Sequence, residues 1–304
     1  MTPGTIRPPA PVAFIGLGVM GAAMAANLSR AGYALTVTSR TRSKAGALEA
    51  IGAGWAATAA EAVRGADFVA LCLPDTPDVE AVLFGPDGVA QAVAPGTVVV
   101  DFSTISASAA AGFAARLAAE TGALLLDSPV SGGPKGALDA TLTCMVGGDP
   151  EAFARAEPCF RAIGKTLTHL GGAGSGQVCK SANQLIVAAT MLAVAEALAL
   201  GVKAGLDGEA MRTALRGGSA ASFVMENHAP RMLGGNFASG FRAALMRKDL
   251  RLSAAAMRDN GVFAPATALA AQMLEALVNS GRGDLDSSAV GALVAELSGV
   301  RPGA

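Results

Sequence analysis

The chain has 304 residues and a formal net charge of −1, with 23 basic against 24 acidic residues spread along its length. That balance gives no sign of a nucleic-acid partner, and none is expected; the length predicts about two domains, each able to bury its own core. Charged residues make up only 15%, and the four cysteines (Cys72, Cys144, Cys159, Cys179) form no C-x-x-C pair. They read as core thiols in a reducing cytoplasm, not as a disulfide framework or a metal cage.

Residues 1–11 form a proline-rich leader. Arg7 and the apolar stretch after it are compatible with a signal peptide, but the glycines that break the stretch have a better explanation. Residues 12–15 predict a buried strand that runs into Gly16-Leu17-Gly18-Val19-Met20-Gly21. A helix ended by Gly32 follows. A second short strand is expected at 34–38, and further apolar runs stand at 68–73, 97–101, 124–127 and 142–146. Ala-rich helical segments such as 106–121 lie between several of them. This alternation predicts a parallel sheet covered on both faces.

At 171–176, GGAGSG, the character changes and only helical stretches follow. Asp207 is the expected N-cap of one of them. The fold class is therefore an α/β Rossmann-type dinucleotide-binding domain over 12–172, followed by an all-α helical domain over 173–304. The apolar run 185–202 reaches bilayer length only marginally and contains Glu196. A charge there is costly in lipid, so a buried helix between subunits or domains is expected and no membrane partner.

The glycine loop matches G-x-G-x-x-G in its confirming context, after a strand and opening a helix. Gly16 allows the tight turn, Gly18 lets a pyrophosphate approach the backbone, and Gly21 lets helix and strand pack closely. The helix N-terminus then presents N–H groups and a positive dipole to the phosphates. At the end of the second strand stands Ser39-Arg40-Thr41-Arg42, with Ser39 where NAD sites usually carry an acid. A guanidinium can pair bidentately with a 2′-phosphate and no local carboxylate repels it. NADP(H) is favoured, with NAD(H) possible.

Between Lys165 and Glu196 the only formal charge is Lys180. Lysine is rarely buried without a partner or a task. Asn183 and Gln184 share its helix face at i+3 and i+4. An ammonium desolvated there can have a depressed pKa and exchange a proton with a substrate oxygen. His169 and His228 have no metal-like spacing, so no metal site is expected.

Four stretches, GLGVMGAAMAANLSRAG (16–32), DSPVSGGPKGA (127–137), GSGQVCKSANQ (174–184) and RKDL (247–250), together resemble the β-hydroxyacid dehydrogenases. This family holds 3-hydroxyisobutyrate dehydrogenase, tartronate semialdehyde reductase and glyoxylate/succinic semialdehyde reductase. The resemblance implies an active site in a cleft between the two domains and a small carboxylated aldehyde or β-hydroxyacid as substrate. It implies substrate binding by Ser131, Gly132, Gly133, Asn183 and Gln184, with Lys180 as general acid/base. It further implies cofactor contacts from Leu73, Pro74, Asp78, Thr104 and Lys248, and assembly as a homodimer or homotetramer.

Ala107 and Ala140 depart from the family pattern, standing where proline and glycine are usual; the second is read as a packing change. An imine reductase of the same fold usually lacks the lysine. A 6-phosphogluconate dehydrogenase has a larger helical domain. A non-catalytic NADP-binding module is expected to have lost Lys180.

Overall fold

The computed structural model describes residues 4–238 and 240–300. Two compact units divide the chain, 1–180 and 181–304. The first is built on strands β1 (Pro11–Ile15), β2 (Ala34–Thr38), β3 (Gly54–Trp55), β4 (Phe68–Leu71), β5 (Val98–Asp101), β6 (Leu124–Asp127), β7 (Val130–Ser131), β8 (Leu142–Gly147) and β9 (Gly164–Gly171). Six of them run parallel in the order β3-β2-β1-β4-β5-β6. β8 then pairs antiparallel with β6 and β7 and parallel with β9.

Helices α1 (Val19–Arg30), α2 (Gly46–Glu49), α3 (Ala59–Val63), α4 (Thr76–Phe84), α5 (Ala107–Thr121), α6 (Gly133–Leu138) and α7 (Pro150–Ile163) connect the strands. Side chains alternate across a strand, and β1 shows the result. Val12 and Phe14 enter one core with Leu28, Phe68 and Phe160, while Ala13 and Ile15 enter another with Leu71, Leu83 and Leu117. A strand covered on both faces reads as a continuous apolar run, which is why these strands stand out in the sequence. Three of the connecting helices, α3, α5 and α7, begin at side-chain caps: Thr58 accepts from Glu61 N, Ser106 from Ala109 N and Asp149 from Ala152 N.

Helix α8 (Ser175–Lys203) starts in the first unit and continues into the second. The second unit holds in addition α9 (Gly208–Arg216), α10 (Phe223–Asn227), α11 (Ala229–Gly234), α12 (Ala243–Asp259), α13 (Pro265–Leu277) and α14 (Val290–Leu297). Among its described residues there is no strand, only one isolated bridge between Arg242 and Asp286. Asp207 caps α9 by accepting from Ala210 N at 2.7 Å. By length and composition α8 is apolar enough to cross a membrane. Within the second unit it supplies Ala188, Met191, Leu192, Ala195 and Leu198 to a core shared with Met246, Leu250 and Leu274.

Beyond the two-residue strands β3 and β7, which the sequence reading does not contain, two features differ from it. β9, GKTLTHLG, is a strand whose side chains are mostly exposed or half-buried, so it carries no buried-strand signature. Ala140 adopts φ 54°, alone among the described non-glycine residues in having a positive φ. The backbone is therefore left-handed where the family pattern has glycine, and the departure costs conformational energy instead of changing the packing.

Candidate active site

In open α/β sheets ligands bind outside the carboxyl ends of the strands, where the strand order reverses. Here the chain leaves β1 for β2 and β3, then returns to the other side of β1 as β4. The loops that follow β1, β2, β4 and β5 all emerge at that edge. They carry the Gly16–Gly21 loop, Ser39–Arg42, Leu73–Pro74 and Thr104, so the fold brings these sequence-predicted residues to one side of one sheet.

The glycine loop is closed by its own backbone. Gly16 has φ +99°, and a Cβ there would meet the Cys72 carbonyl oxygen at 2.3 Å. A Cβ on Gly21 would meet Gly16 O at 2.0 Å. Gly18 differs: a Cβ there meets nothing within 4 Å. Its lack of a side chain leaves open space in front of α1, whose N-terminus has no side-chain cap and no acidic residue in its first turn. Such a terminus is fitted to an anion, and a dinucleotide pyrophosphate fits the residues present.

The ribose end is more crowded with charge than the sequence implies. Arg42 donates to both carboxylate oxygens of Glu49, at 2.5 and 2.7 Å, and its guanidinium lies 4.4 Å from the centre of the Trp55 ring. The hydrogen bond from Arg42 holds the Glu49 carboxyl below its ordinary value. Arg40 Nη1 stands 3.2 Å from Asp78 Oδ1. The two cations expected to await a phosphate are thus each paired with an acid. The absence of a carboxylate holds for the segment 39–42 but not for its surroundings, since Glu49 and Asp78 arrive from α2 and α4.

Lys180 is 7% exposed, and its Nζ donates to the Val130 carbonyl at 2.9 Å. Val130 directly precedes Ser131, Gly132 and Gly133, which lead from β7 into α6 with φ +131° and +64° at the two glycines. The structure therefore places the lysine beside the Ser131–Gly133 turn. Its helix is anchored by Asp127 at the end of β6. Asp127 Oδ1 accepts from Gly174 N at 2.6 Å and Oδ2 from Gln177 N at 2.9 Å. Burial pushes the Asp127 carboxyl up, and the backbone donors Gly174 and Gln177 pull it back down. Gly176 has no room for a Cβ, which would meet Met145 O at 2.2 Å.

In the second unit Asn183 donates to Gln184 Oε1 at 2.8 Å, and Gln184 donates to Asp249 Oδ2 at 2.6 Å. Lys248 Nζ lies 3.1 Å from Asp249 Oδ1. These groups form one polar chain, in which Asp249 is buried at 3% exposure. Sequence reasoning missed Asp249, Glu49, Asp127 and Gln177. Asp127, Gln177 and Asp249 stand inside the stretches that carry the family resemblance, but nothing in the sequence marks them individually, and Glu49 lies outside those stretches. The histidines lie elsewhere: His169 bonds Gly148 O and stacks on Phe153, and His228 packs against Phe223. No cluster able to hold a metal exists among the described residues.

Comparison with known proteins covers both units. Residues 11–171 match the family described as the NAD binding domain of 6-phosphogluconate dehydrogenase. Residues 174–294 match the family described as NAD-binding of NADP-dependent 3-hydroxyisobutyrate dehydrogenase. The chain is 43% identical to the 2-hydroxy-3-oxopropionate reductase of Escherichia coli K12, over 91% of this chain and 94% of the relative. It is 40% identical to the NAD-dependent L-serine dehydrogenase of Pseudomonas aeruginosa, over 92% and 96%. Among solved structures, the 3-hydroxyisobutyrate dehydrogenase of Mycobacterium tuberculosis with L-serine superposes with a TM-score of 0.85 at 36% identity, covering 93% of this chain and 98% of that one. With its glycine loop at the sheet edge and its helical second unit, the chain belongs to the β-hydroxyacid dehydrogenase family of NAD(P)-dependent oxidoreductases.

Proposed function

We propose that this protein reduces a short carboxylated semialdehyde to the corresponding β-hydroxyacid, with NADPH as preferred donor and Lys180 as general acid. The observation that carries the reading is the buried Lys180 beside the Ser131–Gly133 turn. When bound, the reduced nicotinamide supplies the hydride. The chain's own part is to bind, orient and protonate. Backbone N–H groups of the Ser131–Gly133 turn hold the substrate carboxylate, as small residues in an open turn can. Lys180 donates a proton to the substrate's carbonyl oxygen as charge develops there, and its positive charge stabilises that oxygen. The overall balance is one aldehyde, one hydride and one proton to one primary alcohol. In the oxidative direction Lys180 takes the proton back.

Asn183 and Gln184 orient the substrate, and Lys248 together with Leu73, Pro74 and Thr104 contacts the cofactor. Arg40, whose side chain is 82% exposed, is the cation that meets the 2′-phosphate. Its exposed pair with Asp78 is worth little and is readily surrendered. A reading with NADH as donor is favoured by one observation, the closed Arg42–Glu49 pair. All four cysteines are free, in keeping with a cytoplasmic enzyme.

The test is steady-state turnover of a panel comprising tartronate semialdehyde, glyoxylate, succinic semialdehyde and methylmalonate semialdehyde, with L-serine and 3-hydroxyisobutyrate in the oxidative direction. Each is measured with both cofactors. Turnover of tartronate or methylmalonate semialdehyde, or of L-serine or 3-hydroxyisobutyrate in reverse, faster with the NADP form of the cofactor, supports the proposal; preference for glyoxylate or succinic semialdehyde, whose products are not β-hydroxyacids, reassigns the substrate class. NADH preference reassigns the donor, and no turnover across the panel overturns the reductase reading.

A further inference from the structure

Gln177 stands one turn before Lys180 on α8 and is 1% exposed. Its side-chain amide makes two hydrogen bonds to one loop. Nε2 donates to the Ser103 carbonyl at 2.9 Å, and Oε1 accepts from Ile105 N at 3.1 Å. Those backbone groups flank Thr104. The pairing reads like a strand hydrogen-bond pattern made by a side chain, and only a group with both a donor and an acceptor satisfies it.

The loop passes the restraint onward. Ser103 Oγ accepts from Leu73 N at 2.8 Å, and Ser103 N donates to Asp101 Oδ1 at 2.9 Å. Ser106 N donates to Thr76 Oγ1 at 3.1 Å, which ties the same loop to the start of α4. On its other side Gln177 is held by its backbone N–H on Asp127. One buried chain of hydrogen bonds therefore runs from β6, through the first turns of the helix bearing Lys180, to the loops after β5 and β4.

We infer that Gln177 is a positioning residue, which fixes Lys180 relative to the Thr104 and Leu73 loops and so sets the geometry of proton and hydride delivery. This inference rests on the reductase reading of Lys180. A buried chain of hydrogen bonds resists rearrangement, because each group that moves loses its partner in a low-dielectric setting. Removing the amide leaves the Ser103 carbonyl and the Ile105 N–H to find other partners, which they do only by moving the loop. Misplacement by about 1 Å costs on the order of a hundredfold in rate. Thr104 and Leu73 are only part of the proposed cofactor contacts, and the glycine loop and the ribose end, which Gln177 does not touch, keep theirs.

The experiment compares Gln177→Met, Gln177→Glu and Lys180→Ala with the parent enzyme. The assay uses NADPH, with and without deuterium at the transferred position, and the panel substrate turned over fastest. The folded Gln177→Met enzyme is expected to bind NADPH within about threefold of the parent while kcat falls roughly a hundredfold. The isotope effect on kcat is expected to rise as hydride transfer becomes limiting. Gln177→Glu keeps the acceptor for Ile105 N but not the donor for Ser103 O, and is expected to recover part of the loss. A purely structural role predicts instead a lower melting temperature with kcat per folded enzyme and isotope effect unchanged, and that result overturns the inference. Should Gln177→Met fail to fold, Gln177→Glu decides, since parent-like kcat in that variant overturns it equally. Undiminished turnover in Lys180→Ala would instead sink the underlying reading of the lysine.

Discussion

At the scale of single residues, the ribose end shows how partners distant in sequence change what a charge can do. Arg42 is taken up by Glu49 and Trp55, whereas Arg40 has one exposed pair with Asp78. We therefore expect Arg40→Ala to raise KM for NADPH by roughly tenfold or more, as loss of a charge-assisted phosphate contact does, and to change KM for NADH little. Glu49→Gln releases the Arg42 fork and is expected to lower KM for NADPH by a few-fold. Unchanged KM for NADPH in both variants would show that neither arginine reads the cofactor. Lys180 was legible because it is the one charge in a long apolar segment. Glu49 and Asp249 were not, because their meaning comes from the partners that folding brings to them.

At the scale of elements, the strand-turn-helix at the glycine loop separates two uses of glycine. Gly18→Ala places its Cβ in open space, so the melting temperature is expected to stay within about a degree while NADPH affinity drops. Gly21→Ala drives a Cβ into the Gly16 carbonyl and is expected to lower the melting temperature and cofactor affinity together. Thermal unfolding with and without NADPH tells the two apart, and a stable Gly21→Ala would contradict the geometry. The left-handed Ala140 offers the reverse case. Ala140→Gly removes strain of about 1–2 kcal/mol against an entropy cost of about 0.5–1 kcal/mol, for a net gain of about 0–1.5 kcal/mol in denaturant unfolding.

The buried parallel strands and the long α8 were readable, because apolar runs and their punctuation encode them. β3, β7 and β9 were not. The first two have two residues each, and β9 is held by its pairing with β8 more than by burial.

At the scale of the whole molecule, the two matched families cover the chain from residue 11 to residue 294 with only a two-residue gap. On the part of α8 within the second unit, Ile186 and Leu200 are 64% and 71% exposed, with exposed Ala193 midway between them. At 3.6 residues per turn these positions drift by only about 40° and form one stripe. Apolar stripes of this kind mark protein contacts. We expect an oligomer by analytical ultracentrifugation, shifted toward monomer by Ile186→Glu; a monomeric parent protein would contradict this.

The proposed reduction depends on Lys180 acting in chemistry and not merely filling the space beside Val130. The most direct measurement is kcat of purified Lys180→Ala on the best panel substrate, beside its affinity for NADPH. The expected result is a fall in kcat of about 10²–10⁴-fold, as for loss of a general acid, with NADPH affinity retained. Turnover within a few-fold of the parent enzyme would remove Lys180 from the mechanism and the proposed reduction with it.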